Sequence, residues 1–163
     1  MFRVTYNKVW SKLYLLLVYF LFLTMNNVRK VEWVLRISVA GEFVGHGVFA
    51  LQGRKAWVEW FSIFGISDVG TATTFLWLVG LIDVLLAVLI LMKPVRLALL
   101  WMAFWGFWTA LMRPIAGDSI FEFVERWANW GAPLALLLLR GIPTSIGGWL
   151  PPKQSKAGDL PMQ

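Results

Sequence analysis

Residues 31–51 read VEWVLRISVAGEFVGHGVFAL, and the prediction of the fold begins from this segment. It is apolar and long enough to cross a bilayer, which takes about 20 residues of α-helix. It nevertheless carries Arg36, Glu42 and His46, the last of which is the single histidine of the protein. A charged side chain at the centre of a membrane helix costs about 2.5–3.5 kcal/mol, so such groups usually face protein and mark a functional site. The stretch therefore predicts a membrane-spanning helix that presents a polar site to its neighbours.

Two features of this helix concern its contacts with other helices. Glu42 and His46 are four residues apart and therefore share one helical face. Gly41 and Gly45 have the spacing of small residues that lets a second helix approach closely in a membrane, and Gly47 adds to this set of glycines. The same glycines could instead leave room for a ligand beside His46. We favour close packing as the interpretation of the glycines and a site as the interpretation of the two polar residues.

The composition assigns the chain to the membrane proteins. Of its 163 residues, 59% are hydrophobic and 15% are charged, whereas soluble domains average about 25% charged residues. The absence of cysteine excludes disulfides, thiolate metal sites and iron–sulfur clusters. The formal charge of +6 does not indicate nucleic acid, because the basic residues lie mainly at the ends of apolar segments. The lipid bilayer is the expected partner.

The chain falls into three segments. Residues 1–30 combine a basic N-terminus with an apolar run, and residues 9–25 are predicted to form an apolar helix that spans the membrane or is deeply buried. An aromatic segment at 56–66 predicts a short interfacial helix, either a connector at headgroup level or a lid, and residues 141–163 predict an irregular tail. The fold class is predicted to be all-α, a transmembrane helical bundle over residues 31–140, with four core spans at 31–51, 71–92, 94–112 and 120–139.

Ionisable residues in the other predicted spans could act as partners for Glu42 and His46. Asp83 lies alone near the middle of the second span, and Arg113 closes the third. The fourth span begins with a helical stripe of polar residues, namely Glu122, Glu125, Arg126 and Asn129. Since consecutive spans run in opposite directions, all of these groups are expected between the membrane midplane and the same side.

This convergence predicts one polar cavity, open to that side. Trp105 and Trp108 are candidates to line a flat apolar part of it, with simple helix packing as the alternative interpretation of these rings. The candidate ligand-binding or proton-relay residues are Glu42, His46, Asp83, Trp105, Arg113, Glu122, Arg126 and Asn129. The alternative is that the stripe of the fourth span is simply solvated at the membrane surface. Glu42, His46 and Asp83 are suitable zinc ligands in type, but their spacing matches no metal motif, so no metal is predicted.

The distribution of basic residues predicts the orientation. The side that holds residues 93–96 and the C-terminus is richer in lysine and arginine, and such residues favour the cytoplasmic side. The cavity is then expected to face outward, and we place the protein in the bacterial inner membrane. If residues 9–25 also cross the membrane, the counts on the two sides become nearly equal and the orientation stays open.

The order of elements over Val31 to Arg140 is distinctive. The first core helix has an arginine near its start and contains the segment GEFVGHG, and it is followed by an aromatic connector and three further spans. This order resembles the DoxX-like family of small four-helix integral membrane proteins. A related subunit, DoxD, belongs to a membrane thiosulfate:quinone oxidoreductase, so the resemblance implies a membrane redox partner that meets quinone. The N-terminal apolar segment and the charged stripe over 122–129 depart from the pattern, and no catalytic residue is carried across.

Three functions follow as hypotheses. The first is a quinone- or small-molecule-binding subunit of a membrane redox system, in which His46 and Arg126 donate hydrogen bonds and carboxylates relay protons. The second is a non-enzymatic accessory or assembly subunit of a larger membrane complex, in which buried charges fix helix register. A small transporter is the least favoured, because no inverted repeat is visible. Other membrane subunits or further copies of the chain are expected partners, and enzymatic activity is left open.

Overall fold

The computed structural model describes Leu16 and residues 26–150. All of its regular elements are helices: α1 (Asn27–Leu51), α2 (Lys55–Trp60), α3 (Val69–Met92), α4 (Arg96–Ile115), α5 (Ile120–Val124) and α6 (Trp127–Leu139), with 3-10 helices at Phe61–Phe64 and Ile146–Trp149. The predicted all-α class is confirmed for this part of the chain. Apart from Leu16, the helix predicted over 9–25 lies outside the described residues. The chain divides into compact units at 1–34 and 35–163, and all contacts discussed from here on lie within the second unit unless stated.

Among the described residues, α1 and α3 are the helices that are long and apolar enough to cross a membrane. Both coincide with predicted spans. The predicted span over 120–139 is not one continuous helix, because it is divided into α5 and the 13-residue α6.

The break between α5 and α6 has a local cause at Arg126. Its guanidinium donates to the backbone oxygen of Glu122 over 2.7 Å, and that oxygen is the acceptor which an α-helix reserves for the amide of residue 126. The Arg126 amide bonds instead to the oxygen of Phe123, over 3.1 Å. The side chain and the backbone therefore compete for one carbonyl, and the helix tightens and ends.

Helix α1 begins four residues before the predicted start at residue 31. Within the first unit, the side chain of Asn26 accepts a hydrogen bond of 2.9 Å from the amide of Arg29. Asparagine is among the preferred helix N-caps, because its oxygen satisfies an amide that has no partner inside the helix. The residues predicted to form a polar turn, 26–30, therefore form the cap and the first turn.

Helices α1 and α3 run antiparallel, as two contacts show. Near the start of α1, Arg36 donates from Nε to the oxygen of Ile90 over 3.0 Å, and its terminal nitrogen donates to Leu91. Near the other end, Gly47 faces Gly80 so closely that a Cβ on either glycine would lie within 2.8 Å of the other's backbone oxygen. The arginine thus satisfies carbonyls at the end of α3, and the glycines let the two backbones meet.

Of the three glycines predicted to pack, one makes the contact. Gly47 meets Gly80, whereas a Cβ added to Gly41 or Gly45 would meet no atom within 4 Å. Gly47 is two residues beyond Gly45 along α1, on a different face. The glycines of α1 therefore indicated a close contact correctly, but the four-residue spacing of Gly41 and Gly45 did not identify the face that makes it.

Helices α4 and α6 form a second antiparallel pair. A Cβ on Gly106 would lie 2.6 Å from the backbone oxygen of Asn129, so the helices touch there. At the other end, Arg96 donates to the oxygen of Arg140 over 2.8 Å and to that of Gly141 over 3.0 Å. Between these points α1, α3, α4 and α6 share one core, made of Val39, Ala40, Phe43, Ala87, Ile90, Ala98, Leu99, Met102, Leu136 and Leu137.

The segment between α1 and α3 folds over the end of this core. Trp57 of α2 is buried and packs with Ala50 and Leu76 in a smaller cluster. Asp68 then caps α3, accepting a hydrogen bond of 2.7 Å from the amide of Thr71. Hydrogen bonds from the Thr71 side chain and amide hold the pKa of Asp68 below its ordinary value. The predicted short helix over 56–66 is thus α2 followed by a 3-10 helix, fixed at both ends.

Candidate functional site

The site is centred on a contact between the histidine of α1 and the aspartate of α3. His46 Nδ1 lies 2.9 Å from Asp83 Oδ2. Asp83 is only 1% exposed, and no other polar or charged side chain among the described residues is as fully buried. The contact exists because Gly47 and Gly80 bring the two backbones together beside it. An unpaired buried carboxylate is costly, so the histidine is the group that makes Asp83 tolerable at this position.

The imidazole is held on its other side by an aromatic ring. The ring of His46 lies 4.4 Å from that of Trp57, at an interplanar angle of 30°. Trp57 in turn stacks with Trp60, with ring centres 6.1 Å apart. Asp83 and Trp57 therefore fix both the rotation and the tilt of the imidazole. The second ring nitrogen, Nε2, has no hydrogen-bond partner among residues 26–150.

His46 forms part of the wall of a cavity of about 460 Å³. The cavity lies where α1 ends, α3 begins and α4 ends, and the segment between α1 and α3 covers it. Its wall is almost entirely apolar and includes four tryptophans, Trp57, Trp60, Trp105 and Trp108. Besides the indole nitrogens, its polar groups are the imidazole of His46 and the hydroxyl of Thr109.

The structure separates the eight predicted site residues into different places. His46 and Trp105 line the cavity, and Asp83 lies behind His46. Glu42 lies one helical turn before His46 on α1 and does not line the cavity. The remaining residues, Arg113, Glu122, Arg126 and Asn129, do not line the cavity. The eight predicted residues are thus divided between an apolar cavity with one histidine and positions outside that cavity.

Three of the excluded residues form a separate ionic cluster where α4 meets α5. Glu122 Oε2 lies 2.9 Å from a terminal nitrogen of Arg126 and 3.6 Å from one of Arg113. Arg126 also contacts Glu125. These charges neutralise each other locally, so they do not need the partners from α1 and α3 that the sequence argument assigned to them. Asn129 is half-buried, and its backbone forms the contact with Gly106.

Replacing Arg126 by leucine is expected to lower the free energy of unfolding by about 1–2 kcal/mol, because charge-assisted hydrogen bonds are lost while the carboxylates remain partly hydrated. Thermal unfolding of the purified protein in detergent measures this. Lys55→Leu is the control, since Lys55 and Glu59 are largely exposed and 4.0 Å apart, and it should change nothing measurable. Equal effects of the two substitutions would contradict a structural role for the cluster.

Sequence reasoning missed three residues that build the site. Trp57 and Trp60 were assigned to a connector, for which a lid was the less favoured alternative, yet both line the cavity. Thr109 was not assigned to the site, although a hydroxyl between tryptophans in an apolar helix is a recognisable polar position. Gly80 gave a signal too: it lies three residues before Asp83, so a close helix approach there brings a partner to the carboxylate.

Among residues 26–150, no three His, Asp or Glu side chains are grouped so that they could hold a metal ion. Comparison of the chain with protein-family models, curated proteins and solved structures finds no match. The resemblance to the DoxX-like family therefore stays a prediction.

Proposed function

We propose that this chain is an integral membrane protein with four core spans whose aromatic cavity binds a quinone as a subunit of a membrane redox system. The observation that carries the proposal is the cavity itself, an apolar pocket with one histidine fixed by a buried aspartate. Its volume of about 460 Å³ falls within the usual range for small-molecule sites, about 300–1,000 Å³.

The outward surface of the helices supports membrane insertion. Large apolar side chains are exposed along α1, α3 and α4, among them Ile37, Val44, Leu85, Val88, Leu97 and Phe104. A protein surrounded by water rarely exposes such extensive apolar area. Lipid chains would cover this apolar surface without the free-energy cost of exposing it to water. In addition, α1 and α3 have the length and composition of membrane-spanning helices.

The chemistry of the wall favours a flat ring with few polar atoms. Tryptophan rings stack well on other flat rings, and the histidine supplies an oriented hydrogen-bonding group at one end. A quinone ring has this combination of flat apolar faces and oxygens at its edge. Residues 93–96 and the C-terminus would lie in the cytoplasm and the cavity in the outer half of a bacterial inner membrane.

Titration with decylubiquinone tests the proposal. Four tryptophans line the cavity, so binding should quench the tryptophan fluorescence of the purified full-length protein in a saturable manner. Val79→Phe, which places a ring into the cavity from α3, is expected to weaken binding about tenfold or more. Leu85→Phe on the exposed side of the same helix should leave the dissociation constant within about twofold.

Absence of saturable binding, or equal weakening by the two substitutions, would contradict the proposal. Co-purification of the protein with a larger membrane complex, without ligand binding, would instead favour the accessory or assembly role.

A further inference from the structure

The contact with Asp83 determines which nitrogen of His46 carries the hydrogen in the neutral ring. A carboxylate can only accept, so Nδ1 must be the donor in the 2.9 Å contact with Asp83 Oδ2. In a neutral imidazole one nitrogen donates and the other accepts. Nε2, which has no partner among the described residues, is then left with a lone pair and no hydrogen.

The hydroxyl in the wall, that of Thr109, is also arranged as an acceptor. Thr109 Oγ1 donates its hydrogen within its own helix, to the oxygen of Trp105 at 3.0 Å or to that of Gly106 at 3.3 Å. Its lone pairs remain available. The indole nitrogen of Trp105 is buried without a partner and is not exposed in the wall. The neutral ring of His46 and the hydroxyl of Thr109 therefore both act as hydrogen-bond acceptors toward a ligand in the cavity.

We infer that the cavity selects the reduced, hydroxyl-bearing form of its ligand, a hydroquinone, over the quinone. This inference rests on the proposed function and corrects the role first assigned to His46, which was to donate to a quinone carbonyl. A carbonyl oxygen has no hydrogen to offer Nε2, whereas the hydroxyl of a hydroquinone donates to it and can still accept from an indole. Asp83 is a positioning residue in this scheme, because it acts on the ligand only through the tautomer of His46.

Three compounds that share one two-ring skeleton with oxygens at positions 1 and 4 test the selection. The full-length protein, purified without a histidine tag, is titrated anaerobically with 1,4-dihydroxynaphthalene, 1,4-naphthoquinone and 1,4-dimethoxynaphthalene. The dihydroxy compound is expected to bind about fivefold to tenfold more tightly than the other two, the worth of one net hydrogen bond. Equal or tighter binding of the quinone would overturn the inference and leave the proposed function intact. Binding of none of the three would overturn both.

The variant Asp83→Asn separates the proposed role of Asp83 from a purely structural one. If Asp83 had only a structural role, this substitution would not change the ratio of the two affinities. An asparagine amide can donate to Nδ1, which moves the ring hydrogen to Nε2 and turns the acceptor into a donor. The ratio of hydroquinone to quinone affinity is then expected to fall to about one or below, a loss of about fivefold or more. A ratio unchanged from the wild type would overturn the role of Asp83.

The tautomer can be measured without any substitution. Because the chain has one histidine, ¹⁵N-histidine labelling gives one pair of ring signals in the NMR spectrum. The inference requires the hydrogen on Nδ1 and a pyridine-type Nε2 that shifts when 1,4-dihydroxynaphthalene is added. A neutral ring with its hydrogen on Nε2 would overturn it.

Discussion

Replacing Gly80 by alanine is expected to lower the free energy of unfolding by about 1–3 kcal/mol, the usual cost of adding atoms to a filled contact. The added Cβ would lie 2.7 Å from the backbone oxygen of Gly47 and 2.9 Å from the backbone nitrogen of Leu51. Neither can rotate away as a side chain would, so α1 and α3 must separate. Since Asp83 and His46 lie directly beside this contact, their 2.9 Å bond should lengthen as well.

Gly45→Ala is the matched control on α1. A Cβ there meets nothing within 4 Å, so only the helix preference of alanine over glycine remains, a gain of up to about 1 kcal/mol. Thermal unfolding in detergent compares the two variants, and decylubiquinone titration shows whether the separation reaches the cavity. A Gly80→Ala protein as stable as Gly45→Ala would mean that the two helices do not meet at this point.

Replacing His46 by phenylalanine is expected to cost about 3 kcal/mol of unfolding free energy, because it leaves a buried carboxylate without its partner. Phenylalanine keeps an aromatic ring against Trp57, so the loss reports the polar contact and not the stacking. The same variant should bind 1,4-dihydroxynaphthalene no better than 1,4-naphthoquinone. Thermal unfolding and the two titrations measure these effects.

The double variant His46→Phe/Asp83→Leu separates stability from binding. With both polar groups replaced by apolar ones, no charge is stranded, and stability should return to near the wild-type value. The preference for the hydroquinone should not return. A double variant that is less stable than His46→Phe would show that Asp83 has a further stabilising contact, and restored preference would show that His46 is not the acceptor.

The residues that form the site could be named from the sequence only in part. His46 stood out as the single histidine of the chain, and Asp83 stood out as the single ionisable residue of the apolar stretch 71–92. The two side chains are in contact in the structure. The stripe from Glu122 to Asn129 stood out for the same reason but lies elsewhere. Its glutamates and Arg126 form ion pairs with one another and with Arg113. The sequence argument assigned all ionisable groups to one shared site and did not consider such local pairing.

The helical, strongly apolar character of the chain can be read from its amino acids alone, because hydrophobic content and the spacing of polar residues are local properties. The same local pattern identifies the ionisable residues that would need partners. The partner of each residue follows from the packing of the helices. That choice depends on where two backbones can touch: Gly47 against Gly80 and not Gly41 or Gly45. The position of this contact brings His46 against Asp83, and Trp57 packs on the imidazole. The cavity beside them is apolar, whereas a polar cavity was expected.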